Sequence, residues 1–386
     1  MSKKVRKRKN SCINLSPDGF SIHTFEISQK LTKFEWNHCK SELYDHQKET
    51  GEHWIYPDRK YKDNYICKKY SDHGIRIRLE HNKSNVGAES YYVRMIINPR
   101  KLVDPDSSYL GILPPNKSSI KQLVKSFQDL MEGTFFTADF SHYYLSRIDL
   151  CTNIQCEDKR VFRELVRLLR KTNTPKKYKR KFYKHTDKKK ANRYNKHYIR
   201  IGCGSQELVI YDKTYQLTEN DLAISYEKLP VGVLRVEVHY WRSKIKSIEK
   251  KYGSDDPADI LWLLMQESKS RICKLVEKCY LERDYVGYEE GEQQIEQSSF
   301  TTATKERMLL LFSKMRRKQT IDAAFALMER QGYRTDDLLK KFEKLGINLI
   351  PLRQGYAAER MPSLPEILHK IENCPITVEL SYWKWK

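Results

Sequence analysis

Three segments of the chain alternate hydrophobic and polar residues with a period of two, which predicts strands with one apolar and one polar face. They are 145–154 (LSRIDLCTNI), 198–203 (YIRIGC) and 233–240 (VLRVEVHY). The polar positions include two carboxylates, Asp149 and Glu237. If the three strands share a sheet, its polar face collects carboxylates, a tyrosine, a histidine and arginines. Such a set can hold a divalent metal beside a phosphate group.

The rest of the first 253 residues predicts an α+β domain. Gly202 and Gly204 supply the turn of a hairpin whose second strand is 207–213. Further strands are expected at 75–80 and 91–98, and amphipathic helices at 118–132 and 157–171. The resulting order β-β-α-β-α-β-β-β predicts an α+β sandwich, with a mostly antiparallel sheet and helices packed on one face.

The chain beyond residue 253 has a mainly helical pattern. A long helix is expected from Asp255 to about residue 283, followed by an acidic, glutamine-rich linker at 285–299. Three short helices and a candidate strand are then expected at 301–317, 320–331, 335–345 and 347–352. Three compact helices are typical of a helix-turn-helix or winged-helix module that binds DNA. A small helical module that binds proteins has the same signature.

These patterns divide the chain into four parts. The parts are a basic N-terminal arm and extension (1–70), a candidate catalytic domain (71–253), a long helix with an acidic linker (254–299) and a helical C-terminal domain (300–386).

The composition points to a polyanionic partner. The net charge is +22, which favours nucleic acid first and an anionic membrane second. No apolar run reaches the roughly 18 residues of a membrane-spanning helix, and no apolar segment follows the basic N-terminus as in a secretory signal. The nine cysteines form no CxxC pair, which argues against a disulfide framework or a zinc finger. We therefore expect reduced thiols in a cytoplasmic protein without a membrane partner.

The segment 171–200 is the most basic part of the chain. It holds thirteen lysines and arginines against a single acid, Asp187, and five tyrosines or phenylalanines are spread among them. Such runs are often only solvated loops, but this one leads directly into a candidate catalytic strand. Lysine and arginine neutralise phosphates, and exposed aromatic rings stack on unpaired bases. The expected DNA-binding residues are Lys176, Lys177, Lys179, Arg180, Lys181, Arg193 and Arg200.

Asp149 and Glu237 are the expected ligands of a Mg²⁺ or Mn²⁺ ion, because a carboxylate pair is the usual oxygen site for these metals. His239 or Glu80 would supply a third ligand. The alternative is a pair of surface acids, or ion pairs with neighbouring arginines. A bound metal would polarise a phosphodiester for attack.

Three tyrosines are candidate nucleophiles. Tyr198 shares a strand face with Arg200 and follows the basic segment, whereas Tyr211 precedes Lys213 on the hairpin. Tyr194 is a further alternative. Tyrosine can form a covalent phosphotyrosyl intermediate that keeps the bond energy for rejoining.

The motifs RIDL (147–150), IYDK (210–213) and LRVEV (234–238), in this order, resemble those of rolling-circle replication initiators. The resemblance is to the Rep_trans group of plasmid initiators and to filamentous-phage-type replication endonucleases, with related conjugative relaxases. It covers about residues 75–250. The turn at Gly204-Ser205 departs from the plasmid pattern, in which a Gly-Ser pair follows the tyrosine more closely, so the three tyrosines remain alternatives.

The resemblance implies a metal-dependent enzyme that nicks and rejoins a DNA strand at a single-stranded or extruded origin. Tyr198 would form a 5′-phosphotyrosyl link and release a 3′-hydroxyl that primes rolling-circle synthesis. Arg235, Arg200 and Lys213 would position the phosphate. A host helicase and a second copy of the chain are further candidate partners. The rival function is a non-catalytic, sequence-specific DNA-binding regulator, and a weaker alternative is RNA binding by the sheet.

Overall fold

The computed structural model describes residues 12–53, 55–58, 61, 63–156, 158–219, 232–317, 320–353, 360–370 and 377–379. For 12–18 and 377–379 it describes the backbone alone. The basic arm expected at the extreme N-terminus lies outside these residues. The described chain is α+β, with a large antiparallel sheet and helices, as the sequence predicts.

One sheet of eleven strands organises the part of the chain that the structure describes, and its pairings there are antiparallel. Along the sheet the strands run β2-β3-β4-β5-β1-β6-β10-β9-β8-β7, and β13 pairs with one end of β1. The strands are β1 (Cys12–Leu31), β2 (Ile55–Pro57), β3 (Tyr65–Cys67), β4 (Ile75–Lys83), β5 (Glu89–Ile97), β6 (Tyr144–Cys156), β7 (Lys179–Arg180), β8 (Tyr198–Gly202), β9 (Gln206–Asp212), β10 (Gly232–Trp241) and β13 (Thr377–Glu379). A separate pair joins β11 (Tyr285–Val286) to β12 (Arg360–Met361).

The described helices are short to medium in length, and most begin at a polar capping residue. They are α1 (Lys33–Thr50), α2 (Pro99–Val103), α3 (Lys117–Met131), α4 (Lys159–Leu169), α5 (Lys188–His197), α6 (Lys213–Glu219), α7 (Arg242–Tyr252), α8 (Pro257–Gln266), α9 (Ser268–Cys279), α10 (Tyr288–Gln297), α11 (Thr302–Arg317), α12 (Ile321–Arg330), α13 (Leu338–Leu345) and α14 (Leu364–His369), with a 3-10 helix at Phe140–His142. Among the described residues, no helix is long and apolar enough to cross a membrane.

The two faces of the central strands differ as the alternation predicts. On β6 and β10 the residues Ile148, Leu150, Val236 and Val238 are fully buried in one hydrophobic cluster, against which α8 and α9 pack. The opposite face carries the polar side chains, and it too is covered. The loop 105–116 covers it at Asn153 and Arg235, whose side chains donate to the Leu110 carbonyl oxygen of this loop. The polar face is therefore a charged layer that is buried beneath this loop and partly exposed at Tyr198 and Arg200.

The region before residue 70 differs most from expectation. It contributes β1, which lies at the centre of the sheet between β5 and β6. Three register shifts interrupt its pairing with β6, at Leu15/Phe20, Ile22/Thr24 and Glu26/Ile27. These bulges change which residues face the core, so the strict alternation that marks a strand in the sequence is lost.

The expected long helix and linker also differ from the structure. Two helices, α8 and α9, meet near Ser268, whose buried hydroxyl donates to the Met265 carbonyl oxygen. The acidic segment is the helix α10, which buries Gly291 and Ile295. A side chain at Gly291 would overlap the Phe312 ring of α11, so glycine permits this close packing. The candidate strand at 347–352 forms a single bridge between Asp284 and Ile347 and no strand.

Candidate metal centre and tyrosine cluster

Three side chains that can bind a metal meet on the polar face where β6 pairs with β10. His239 lies opposite Asp149 across this pair, and Glu237 lies opposite Cys151. One ligand atom from each of Asp149, Glu237 and His239 lies within 4.8 Å of the other two, and all three residues are buried. Two carboxylates and an imidazole are donors that divalent cations use in proteins. This group can hold a metal ion.

Glu237 receives contacts from three different strands. His239 Nε2 lies 2.8 Å from Oε2, and the Tyr211 hydroxyl donates to Oε1 at 2.8 Å. His23 Nδ1 on β1 lies 2.9 Å from the same Oε1. Burial alone would raise the pKa of the Glu237 carboxyl, but His23 and His239 outweigh burial and hold this pKa well below its ordinary value. Glu237 is therefore ionised and held in one orientation.

Asp149 is held by an arginine fork. Arg147 donates from Nε to Oδ1 at 2.8 Å and from Nη2 to Oδ2 at 2.7 Å. Burial raises the pKa of the Asp149 carboxyl, although His239 and Arg147 act in the opposite direction. For His239 burial acts to lower the pKa, but the Asp149 and Glu237 carboxylates outweigh burial and raise it. Asp149 thus belongs both to the ion pair with Arg147 and to the group of three residues that can hold a metal.

Glu80 lies at the far end of a line of alternating charges. Its carboxylate pairs with Arg94 at 3.0 Å, and Arg94 also lies 3.5 Å from Glu26. Glu26 accepts in turn from Arg147 at 3.0 Å. Two arginines and Glu26 therefore separate Glu80 from Asp149, and the third member of the metal group is His239.

Arg235 and Lys213 lie inside the protein near this group. Arg235 is fully buried and donates to Asn153 Oδ1 at 2.7 Å and to the Leu110 carbonyl oxygen at 2.9 Å. It thereby ties the covering loop to the sheet. Lys213 donates to Gln216 at 2.7 Å, and burial together with the nearby Arg235 charge holds its pKa well below the ordinary value. Both side chains are therefore buried within the charged layer.

Three tyrosine rings stack side by side next to the metal group, and a fourth packs against one end of this stack. Tyr198 lies between Tyr194, at a ring separation of 3.9 Å, and Tyr211, at 5.1 Å, and both neighbours are nearly parallel to it. The Tyr183 ring packs against Tyr194 at 4.4 Å, tilted by 38°. Tyr211 is buried, whereas Tyr194 and Tyr198 are partly exposed. Burial and the neighbouring Tyr194 raise the pKa of Tyr198. The structure thus brings all three candidate nucleophiles together.

The basic segment carries more structure than a loop. It forms the edge strand β7 and the helix α5, which begins at Asp187 because the Asp187 carboxylate accepts from the Lys189 and Lys190 backbone N–H groups. Of the expected DNA-binding residues, five are exposed and two are partly buried. The exposed ones are Lys176, Lys177, Lys179, Lys181 and Arg193, and the partly buried ones are Arg180 and Arg200.

Three residues of this site escaped sequence analysis. His23 and Glu26 lie on β1, and Glu207 of β9 is fully buried between Arg200, at 2.8 Å, and Lys181, at 3.3 Å. His23 falls at the bulge between Ile22 and Thr24, which turns its ring toward Glu237. Burial, with the Arg235 charge, lowers the pKa of His23 to about 3, although its contact with Glu237 acts in the opposite direction. The sequence signal lies in 19–27 (GFSIHTFEI), where the apolar positions shift from even numbers, Phe20 and Ile22, to odd numbers, Phe25 and Ile27.

No protein-family model matches the chain, and no curated protein sequence matches it significantly. The function is therefore inferred from the residues and their geometry.

Proposed function

We propose that the protein nicks and rejoins a single DNA strand through a covalent phosphotyrosyl intermediate, with a divalent metal held by Asp149, Glu237 and His239. The observation that carries the proposal is the position of the tyrosine stack beside that group. Tyr211 bonds directly to Glu237, and Tyr198 lies against Tyr211. A site that can hold a metal next to a phenol supplies both a nucleophile and a means of polarising a phosphodiester.

The three residues fit a metal by their chemistry. The carboxylates suit Mg²⁺ and Mn²⁺, and the imidazole nitrogen favours Mn²⁺ of the two. When bound, the metal would polarise the scissile phosphodiester and stabilise the charge that develops on its oxygens. Tyr211 and His23 would orient Glu237, and the fork from Arg147 would orient Asp149, because such outer hydrogen bonds fix the direction of ligand atoms.

Tyr198 is the proposed nucleophile, since it is partly exposed and therefore open to a strand, whereas Tyr211 is buried and engaged with Glu237. The Tyr198 oxygen would form a bond to phosphorus while the bond from phosphorus to the 3′ oxygen breaks. The phenol proton passes, in net terms, to the departing 3′ oxygen, which leaves as a hydroxyl. This transesterification needs no further reactant, and its reversal rejoins the strand. A free 3′-hydroxyl of this kind would serve to initiate rolling-circle replication.

The direct test incubates the protein with Mn²⁺ and a labelled pool of random-sequence single-stranded DNA, and measures label that stays with denatured protein. The wild type is expected to form this adduct, and Tyr198→Phe is expected to form none. An adduct from Tyr198→Phe that disappears in Tyr211→Phe or Tyr194→Phe would move the nucleophile to that residue.

If no adduct forms with wild-type protein under metal and DNA conditions in which the DNA is bound, the nicking proposal fails. Binding that persists without metal and in Asp149→Ala would then support the DNA-binding regulator instead.

A further inference from the structure

A cationic cleft opens beside the tyrosine stack, between the edge of the sheet and the C-terminal helices. Its volume is about 550 Å³, and β7, β8, α4, the end of α11 and residues 351–353 line it. Nine of its sixteen lining residues are arginine or lysine, and none of those sixteen is acidic. Tyr198 lines the same cleft. The cleft therefore joins the proposed nucleophile to a concentration of positive charge.

Among the described residues, the acidic side chains that pair with lining residues of the cleft neutralise only part of this charge. Glu164 pairs with Arg167, and Glu207 pairs with Arg200 and Lys181. Each of these carboxylates carries a single negative charge, so the cleft keeps a large positive excess. A charged wall of this kind attracts and concentrates an anionic ligand.

Arg180 lines the cleft, and its hydrogen-bonding groups are only partly satisfied within the protein. Its Nη1 donates to the Arg170 carbonyl oxygen at 2.9 Å, but its Nε and Nη2 are buried without a hydrogen-bond partner. Burial lowers the pKa of Arg180, and burial together with the Arg180 charge lowers the pKa of Arg170. Buried donors without acceptors are costly, so the protein itself compensates this part of the cationic wall only partly.

We propose that this cleft binds the phosphate backbone of a single nucleic-acid strand and leads it to Tyr198, so that α11 and residues 351–353 form part of the DNA site. The inference rests on the proposed function, and it adds the C-terminal helices to a site otherwise built on the sheet. A cavity of this size has the dimensions of a small-ligand pocket, which admits a short run of one strand and excludes a duplex.

The aromatic surroundings favour a strand over a free polyphosphate. Phe182 lines the cleft and is 63% exposed, and the partly exposed rings of Tyr194 and Tyr198 lie beside it. Aromatic rings beside a cationic groove are the usual means of binding unpaired bases. Inorganic polyphosphate has no bases that could stack on these aromatic rings.

The test reverses two exposed charges at the rim, Arg317→Glu with Arg353→Glu, at positions outside the hydrophobic core. The matched control is Lys246→Glu with Lys250→Glu on α7. The control positions and the cleft lie at opposite ends of β10. The helix α7 follows the C-terminal end of this strand, whereas Gly232 at its N-terminal end lies against Phe162 of α4, the helix that lines the cleft. Both double variants change the net charge equally, so a difference between them reports the cleft itself.

Binding of a fluorescent random-sequence single strand is measured by anisotropy in EDTA over a series of salt concentrations. The rim variant is expected to bind at least about tenfold more weakly, and its log–log salt slope should fall by about 0.7 for each phosphate that the rim no longer neutralises. The control should bind as the wild type does. Equal binding by the rim variant and the control would overturn the inference.

Competitors separate the ligand classes. Duplex DNA or tripolyphosphate that displaces the strand at concentrations as low as unlabelled single strand would contradict a strand-binding cleft. Because EDTA removes the metal, this measurement is independent of adduct formation. Weak binding by the rim variant would support strand binding in the cleft even if the protein forms no covalent adduct. Normal binding by that variant would refute strand binding in the cleft even if the wild type forms the adduct.

Discussion

Replacing Glu237 by glutamine is expected to abolish stabilisation of the protein by Mn²⁺. Glu237 lies at the centre of the metal group, where Tyr211, His23 and His239 all bond to its carboxylate. The substitution keeps the shape and removes the negative charge. A ligand that binds only the folded state stabilises it by about 2.7 kcal/mol when its concentration is a hundred times its Kd.

This free energy converts to a modest but measurable shift in melting temperature. Unfolding entropy is about 2.1 cal/mol/K per residue. For 386 residues that is about 0.8 kcal/mol per degree. Saturating Mn²⁺ should therefore raise the Tm of the wild type by about 3 °C.

The assay is differential scanning fluorimetry over a Mn²⁺ titration, with Glu80→Gln as the matched control. Glu80 is a second buried carboxylate of the same charged layer, but it pairs with Arg94 outside the metal group. The shift should be present in the control and absent in Glu237→Gln, whatever the starting Tm of each variant. An equal shift in Glu237→Gln and wild type would refute the assignment of the metal site.

Three further outcomes are expected. Tyr211→Phe removes the hydroxyl that orients Glu237 and should weaken Mn²⁺ binding about 10- to 100-fold in the same titration, while adduct formation persists at saturating Mn²⁺; unchanged Mn²⁺ affinity would contradict this role. Gly232→Ala places a Cβ within 2.5 Å of the Phe162 ring and should destabilise the fold by about 1–3 kcal/mol in urea unfolding, whereas Gly204→Ala, whose Cβ meets open space, should have little effect. Burial holds the pKa of Lys171 at about 8 in the folded protein, below its value of about 10.4 in the unfolded chain. Because the unfolded chain binds this proton more tightly, the free energy of unfolding should rise between about pH 8 and 10.4. The rise should be smaller in Lys171→Met, and an equal dependence on pH in this variant and the wild type would contradict the prediction.

The strands that carry the metal group were predictable because their signal is local. Alternation on β6 and β10 places Asp149, Glu237 and His239 on one face, and antiparallel pairing brings them together. The three helices near the C-terminus were also predictable, since α12 begins at its Thr320 cap and α13 ends at Gly346 in a left-handed conformation.

The features that could not be predicted from the sequence depend on contacts between residues far apart in the chain. The central position of β1 results from pairing with β5 and β6, and its bulges remove the period that would identify it. His23 reaches Glu237 only through such a bulge. The acidic composition of α10 is typical of a linker, and only the packing of Gly291 against Phe312 shows why it is a helix in the core. The cleft likewise unites residues far apart in the chain.

The most direct test of the central claim is mass-spectrometric mapping of the peptide that remains linked to DNA. Protein incubated with Mn²⁺ and the single-stranded pool is digested with protease and nuclease, and the modified peptide is sequenced. We expect a nucleotide phosphate attached through its 5′ end to Tyr198, and no such peptide from Glu237→Gln. A linkage to a residue outside the tyrosine stack, or DNA that is bound without any covalent linkage, would contradict the account.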